Sequence, residues 1–237
     1  LYYRFLNCGF RLGVSGGSAI GVMDLPTGYN RVYAKIDGPL TADKMWTAIK
    51  AGRTFATSGP MLTLTANEKT PGDTIAINSQ QPEAVSITTT VQSIEELESL
   101  EIIHDGRVVA SKQLLAEVPA PTVDAELEFE LTPKRSGWLA SRALFRAPDG
   151  LLRQAHTSPI YLSVDNKPTA SGDDARYMLR WIDHLAEVAN SDPSRFPNDD
   201  ARQSVLTIFG EARAKYEQII EVAQIHWDDD QPSVRAR

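Results

Sequence analysis

The sequence predicts an α+β protein with a short α/β segment, a β-sandwich of immunoglobulin-like size and a C-terminal helical hairpin. Three observations predict this order. Strand, helix and strand patterns follow one another before residue 60, seven short strand-like runs come next, and two amphipathic helices follow them. We therefore divide the chain into an α/β segment, a sandwich, a hairpin and a flexible tail, at residues 1–60, 61–165, 166–227 and 228–237.

The chain opens on an apolar, aromatic segment, residues 1–10, and shows no charged leader or cleavage site. Such a segment is more typical of a core element than of a free end, so we expect a piece of a longer protein. The alternative is an ordinary domain that begins abruptly. If its partner elements are missing, the segment's apolar side chains would be covered by a second copy, which predicts a homo-oligomer.

A glycine-rich loop at residues 15–21 precedes the first strand, and its glycines let the backbone approach another group closely. Residues 31–36 alternate in polarity and predict that strand. Thr41 then caps a short helix that ends at Gly52, and residues 54–57 form the next strand. This order is that of an α/β unit.

The middle of the chain consists of short strands at close spacing. They are predicted at residues 61–65, 84–91, 100–104, 107–110, 125–131, 137–145 and 160–164. Asp105-Gly106 gives the strongest hairpin signal, because both turn positions favour positive φ. Seven such strands suit an immunoglobulin-like sandwich.

Two helices are predicted after residue 172. The first covers residues 173–190, and Asn198 caps the second. Apolar residues recur at helical spacing in both. Their stripes are Ala175, Met178, Leu179, Ile182, Leu185, Ala186 and Ala189 in the first helix, and Val205, Ile208, Phe209, Ala212, Tyr216, Ile219, Ile220 and Ala223 in the second.

Composition excludes several classes of function. With 24 Lys and Arg against 31 Asp and Glu, the net charge is −7, which argues against a nucleic-acid partner. The single cysteine excludes an internal disulfide, and no apolar run reaches the length of a membrane span, so we expect no membrane partner. The cellular compartment is left open.

Catalytic patterns are weak. The histidines, His104, His156, His184 and His226, stand apart without metal-ligand spacing, so a metal site within the chain is not expected. Ser158 with His156 as base would lie too close in sequence and lacks a nucleophile elbow. Trp138 and Arg142 share a strand face that would suit a sugar, although such a Trp is more often a core residue.

Four blocks carry a family resemblance: residues 3–11 (YRFLNCGFR), 28–33 (GYNRVY), 51–60 (AGRTFATSGP) and 155–161 (AHTSPIY). Together they resemble the carbaryl-hydrolase-like, or CehA/McbA-type, branch of the PHP metallohydrolases, the polymerase and histidinol phosphatase superfamily. The resemblance extends over nearly the whole chain and places it at the carboxyl-terminal part of a longer architecture. It implies that residues 1–60 are a remnant of a PHP-like α/β barrel. It also implies that the His and Asp ligands of the family's divalent metal ions lie mostly upstream of Leu1.

The chain departs from that family at one metal position. Catalytic relatives tend to carry Asp after the glycine-rich turn, whereas this chain has Ala19, which has no lone pair for a cation. Asp24 lies in the next loop, and its spacing does not favour a substitute role. We therefore expect no cofactor in this chain and no catalysis by it alone.

Two functional hypotheses follow. The first is an accessory C-terminal portion of a PHP-type metal-dependent hydrolase homologue. The second is a noncatalytic binding module that takes a glycan, a small molecule or a protein partner on a face of the sandwich. The candidate binding residues are Asn30, Arg31, Trp138, Arg142 and His156, and catalytic and metal-ligating residues are not expected.

Overall fold

A computed structural model describes residues 1–19, 21–22, 26–115, 122–146 and 152–226. The predicted tail and Asp24 lie outside this part of the chain. The described helices are Tyr2–Asn7 (α1), Ala42–Lys50 (α2), Gly172–Ser191 (α3) and Asp199–His226 (α4). The described strands are Arg31–Ala34 (β1), Thr54–Thr57 (β2), Met61–Ala66 (β3), Thr74–Ile77 (β4), Val85–Ser93 (β5), Ser99–His104 (β6), Arg107–Gln113 (β7), Val123–Leu131 (β8), Gly137–Arg146 (β9), Leu152–Thr157 (β10) and Ile160–Val164 (β11).

The chain forms two compact units. Residues 1–10 belong with the helices that follow residue 167, and residues 11–167 form a β-rich unit. Residues 1–60, which the sequence analysis grouped together, therefore contribute to both units. The α+β class and the C-terminal helix pair are confirmed.

The β-rich unit contains two sheets. The larger has the order β1-β2-β10-β9-β11-β4. β6 pairs with the edge of β9 opposite to β10 and β11, and β7 pairs with β6. The smaller has the order β3-β5-β8. Each of the seven predicted strands is present, whereas β4 and β10 were not predicted, because one is only four residues long and the other is largely polar.

The core of this unit lies between the two sheets. One cluster joins Leu64, Ile87 and Phe129 of the smaller sheet to Ile102 and Leu139 of the larger. Alternate residues of β5 are buried, as expected for a strand with one face on a core. The two sheets therefore pack face to face as a sandwich.

The predicted hairpin at Asp105-Gly106 is confirmed. The two residues have φ of 49° and 84°, and His104 pairs with Arg107 across the turn. Positive φ at both central positions is the type I′ geometry that matches the twist of the two strands.

The strand-helix-strand segment differs from a barrel unit in its pairing. β1 and β2 pair antiparallel, and β2 pairs antiparallel with β10. Successive strands of an α/β barrel pair in parallel instead. The predicted Thr41 cap is confirmed, since its hydroxyl accepts a hydrogen bond from the Lys44 amide.

The helical unit has its own core. Its cluster includes Cys8 of the N-terminal segment, Met178 and Ile182 of α3, and Tyr216 and Ile219 of α4. The predicted Asn198 cap is confirmed, because its Oδ1 accepts a hydrogen bond from the Ala201 amide at 2.8 Å. None of the described helices offers an apolar stretch that would reach across a bilayer.

The N-terminal segment packs on the helices of its own chain. Leu6 is 1% exposed, and Phe5 and Phe10 pack against the helical core. The apolar surface on which the homo-oligomer expectation depended is therefore largely covered within the chain, and that expectation stays a prediction.

The apolar stripes of α3 and α4 are narrower than predicted, because Leu185 of α3 and Ile208 of α4 are exposed.

Candidate binding face on the larger sheet

Three polar side chains lie side by side across the larger sheet. His156 of β10 pairs with Arg142 of β9, which pairs in turn with Glu101 of β6. Residues directly opposite in antiparallel strands share a face, so these three side chains form a row, here called the polar row. The residues next to them in each strand, Ala155, Ala143 and Leu100, are fully buried in the core between the sheets. The polar row therefore lies on the face away from that core.

Arg142 and Glu101 form an ion pair with two hydrogen bonds. Arg142 Nε and Nη2 donate to Glu101 Oε2 at 2.8 and 2.5 Å. The side chains are 28% and 14% exposed. Charge-assisted hydrogen bonds of this length hold the guanidinium in one orientation.

His156 is half-buried beside Arg142, and its Nδ1 lies 2.7 Å from the Thr157 carbonyl oxygen. A carbonyl only accepts, so Nδ1 carries the proton and Nε2 carries the lone pair in the neutral ring. Burial lowers the pKa of His156 from 6.5 to about 4, the hydrogen bond to Thr157 opposes this, and the Arg142 guanidinium adds to it. The imidazole is therefore neutral at pH 7.

The glycine-rich loop covers part of this face, and residues 13–19 are here called the covering segment. A Cβ built on Gly16 would lie 3.4 Å from the Ala56 Cβ, so the loop backbone passes directly over β2. The Val14 amide donates to Ser158 Oγ at 2.9 Å, and Thr54 Oγ1 donates to the Val14 carbonyl at 3.1 Å. The expected close approach of this loop is found at Gly16, where the loop meets the sheet, but not at Gly17 or Gly21.

Asn30 holds the covering segment from the other side. Its backbone amide donates to Ser18 Oγ at 2.9 Å, and its side chain donates to the Gly17 carbonyl at 3.3 Å. Arg31 begins β1 with an exposed side chain. These two predicted residues thus lie at the rim of the face rather than in the polar row.

Trp138 is not available for binding. Strand alternation puts it on the same face of β9 as Arg142, but its side chain is 0% exposed. The interpretation of Trp138 as a sugar-stacking residue is therefore wrong, because a ring has to be exposed to stack on a ligand, and the core interpretation is confirmed.

The remaining catalytic candidates do not form a site: Ser158 is hydrogen-bonded to a neighbouring hydroxyl group, and His104 and His184 lie on different elements. Ser158 is fully buried, and its Oγ lies 2.7 Å from Thr54 Oγ1. His104 is buried at the end of β6, and His184 is exposed on α3. Within the described residues, no group of three His, Cys, Asp or Glu side chains is placed to hold a metal ion.

The polar row can form directional hydrogen bonds. It combines a guanidinium, a carboxylate and a neutral imidazole, all partly exposed, on one sheet face. Glu101 was not predicted, because its role depends on the pairing of β6 with β9, strands that are distant in sequence. Comparison of the chain with protein-family models, with curated proteins and with solved structures found no match.

The buried state of His156 predicts a loss of stability in acid. Its folded pKa is below 6.5, so as pH falls from 6.5 the unfolded chain binds the proton first, and stability declines until pH reaches about 4. This contribution is about 3 kcal/mol over that interval. When the free energy of unfolding is measured in urea at pH 7.5 and pH 4, His156→Gln should remove most of this contribution to the acid-induced loss of stability.

His184→Gln is the matched control, because His184 is exposed. It should leave the acid-induced loss of stability as in the wild type. Equal losses in wild type and His156→Gln would show that the imidazole is not buried in its neutral form.

Proposed function

We propose that this chain is an accessory carboxyl-terminal portion of a PHP-type metal-dependent hydrolase homologue of the carbaryl-hydrolase-like branch, without catalysis of its own. The observation that carries the proposal is the convergence of three of the four resembling blocks, whereas residues 3–10 of the fourth belong to the helical unit. Residues 28–33, 51–60 and 155–161 are far apart in sequence, yet they supply β1, β2, β10 and the start of β11. Blocks that share one site in space are expected when a family resemblance has a structural cause.

The same convergence suggests what the face does. The covering segment, β2 and the residue after β10 are joined through Val14, Thr54 and Ser158. Buried hydroxyl groups bonded in this way fix a backbone path rather than perform chemistry. We infer that this face positions a loop and presents the polar row to a neighbouring part of the hydrolase.

Two finer assignments belong to this proposal. The sandwich is assigned as immunoglobulin-like from the number and length of its strands. The assignment of residues 1–60 to a barrel remnant depends on the resemblance alone, since β1 and β2 pair antiparallel.

The donor set does not fit the family's metal ions. The position at which relatives tend to carry an Asp ligand is Ala19, whose side chain has no oxygen. Ala19 has φ of 47°, a conformation that the short-chain polar residues Asn and Asp adopt more readily. The proposed role is therefore one of binding and positioning.

The test is metal content and turnover of the purified chain. After incubation with Zn²⁺, Mn²⁺ or Fe²⁺ and removal of free ion, we expect well under one ion per chain, because a tight site needs a closed set of ligands. We also expect no hydrolysis of p-nitrophenyl acetate or p-nitrophenyl phosphate above the buffer rate. One tightly held ion per chain, or metal-dependent turnover, would contradict the proposal.

A free-standing binding module is the second candidate, and the partly exposed polar row is the observation that favours it. An array of glycans and peptides, probed with wild type and Arg142→Ala, would distinguish the two. Thr65→Ala is the control, since Thr65 is exposed on the other sheet. Trp138→Ala cannot serve here, because its buried ring contributes to the fold.

A further inference from the structure

His104 ends β6 with a buried polar atom that lacks a hydrogen-bond partner. The residue is 8% exposed, and within the described part of the chain its Nε2 has no hydrogen-bond partner. The nearest carboxylate oxygen is Oδ2 of Asp105, 3.6 Å away, which is beyond a hydrogen bond. Because a buried unsatisfied nitrogen costs about 1 to 3 kcal/mol, its retention calls for an explanation.

Asp105 links the β6–β7 turn to the start of β9. Its Oδ1 accepts a hydrogen bond from the Trp138 amide at 3.0 Å. A Cβ built on Gly137 would lie 2.3 Å from the same oxygen, so the carboxylate fits closely against a residue without a side chain. Asp105 also has φ of 49°, as the turn requires. One side chain thus fixes both the turn and the first residues of β9.

Three charged residues lie near His104: Asp105, Arg135 and Arg107. Asp105 lies in the turn, and Arg135, whose Nη2 is 3.7 Å from Asp105 Oδ2, lies between β8 and β9. Arg107 pairs with His104 from β7, and its side chain is exposed. Oδ2 of Asp105 therefore has His104 Nε2 at 3.6 Å and the Arg135 guanidinium at 3.7 Å.

We propose that His104, Asp105 and Arg135 form an acid-responsive latch, in which protonated His104 draws the Asp105 carboxylate away from the Trp138 amide and loosens the start of β9. The step adds one proton from solvent to the imidazole and breaks no covalent bond. The imidazolium gains a second N–H donor in a buried place, and Oδ2 of Asp105 is the carboxylate oxygen that can accept from it after a small shift. The Trp138 amide then loses its acceptor.

Burial accounts for the pH range of the latch. Burial is the main cause that lowers the pKa of His104 below 6.5, Asp105 opposes it, and Arg135 adds to it. The imidazole is therefore neutral at pH 7, and the latch stays closed until the solution is acidic. Because the folded pKa is below the unfolded one, stability declines as pH falls below 6.5.

The test is a ¹H–¹⁵N NMR titration of the full chain from pH 7.5 to pH 4.5. The Trp138 amide signal should move with the same midpoint as the His104 ring signals. Hydrogen exchange of that amide, corrected for the intrinsic pH dependence, should become about tenfold faster, which corresponds to one lost hydrogen bond. Both changes should be absent in His104→Gln.

Two further variants separate the latch from general acid loosening. In Asp105→Asn the amide oxygen still accepts from Trp138 but has no charge for the imidazolium, so the Trp138 signal should no longer follow His104. His156→Gln should leave the coupled change intact. A Trp138 amide that stays constant while His104 titrates, or that changes equally in His104→Gln, would overturn the proposal, and so would global unfolding before His104 titrates.

Discussion

Replacing Trp138 with Ala should destabilise the β-rich unit by about 3 to 5 kcal/mol, a large share of the roughly 5 to 15 kcal/mol that holds a domain folded. Among the described residues Trp138 is the largest fully buried side chain, and its truncation removes apolar burial and leaves a cavity. Urea unfolding followed by circular dichroism would measure the loss as a lower midpoint with an unchanged slope.

Trp46→Ala is the matched control, because Trp46 lies on α2 with 61% of its surface exposed. It should change stability by no more than about 0.5 kcal/mol. If Trp138→Ala kept its stability and lost only ligand binding, the ring would have to be a binding residue after all.

Replacing Gly72 with Ala should cost about 3 kcal/mol or more, because strain and a steric clash combine there. Gly72 has φ of +94°, and a Cβ at this position would lie 2.1 Å from the Ala51 carbonyl oxygen. Its amide also donates to the Pro159 carbonyl at 2.8 Å, so a shift of the backbone would disturb the entry to β11. Urea unfolding would again give the magnitude.

Gly17→Ala is the control for this substitution. A Cβ on Gly17 would have no atom within 4 Å, and its φ lies outside the left-handed region. Its stability should stay within about 0.5 kcal/mol of the wild type. A loss of stability in Gly72→Ala as small as that in Gly17→Ala would contradict the close packing of the end of α2 against the β3–β4 loop.

Local features of this fold were predictable because they depend on neighbouring residues. The Asp105-Gly106 turn, the Thr41 and Asn198 caps and the alternation in β5 each follow from chemistry within a few positions. The pairing of β1 with β2 was not predictable in this way, since strand direction depends on packing between distant segments. For the same reason, the sequence did not show that residues 1–10 pack with α3 and α4.

The candidate site was predicted in part. Arg142 and His156 were identified from a strand face and a sequence block, and the structure places them side by side. Glu101 was missed, because its register with Arg142 depends on long-range pairing, and Trp138 proved to be buried. A Trp on an alternating strand has the same pattern whether its ring packs in the interior or lies exposed, so the pattern alone could not decide between the two.

The central proposal is that this chain is an accessory carboxyl-terminal portion of a PHP-type hydrolase homologue, and it implies metal ligands upstream of Leu1. The most direct measurement is the nucleotide sequence of the reading frame before the codon for Leu1. The account predicts an in-frame His-x-His, followed by alternating strands and helices of an α/β barrel, within about 250 residues, the typical length of such a barrel. An initiation codon just before Leu1, or an upstream segment of that length without His-x-His, would contradict it.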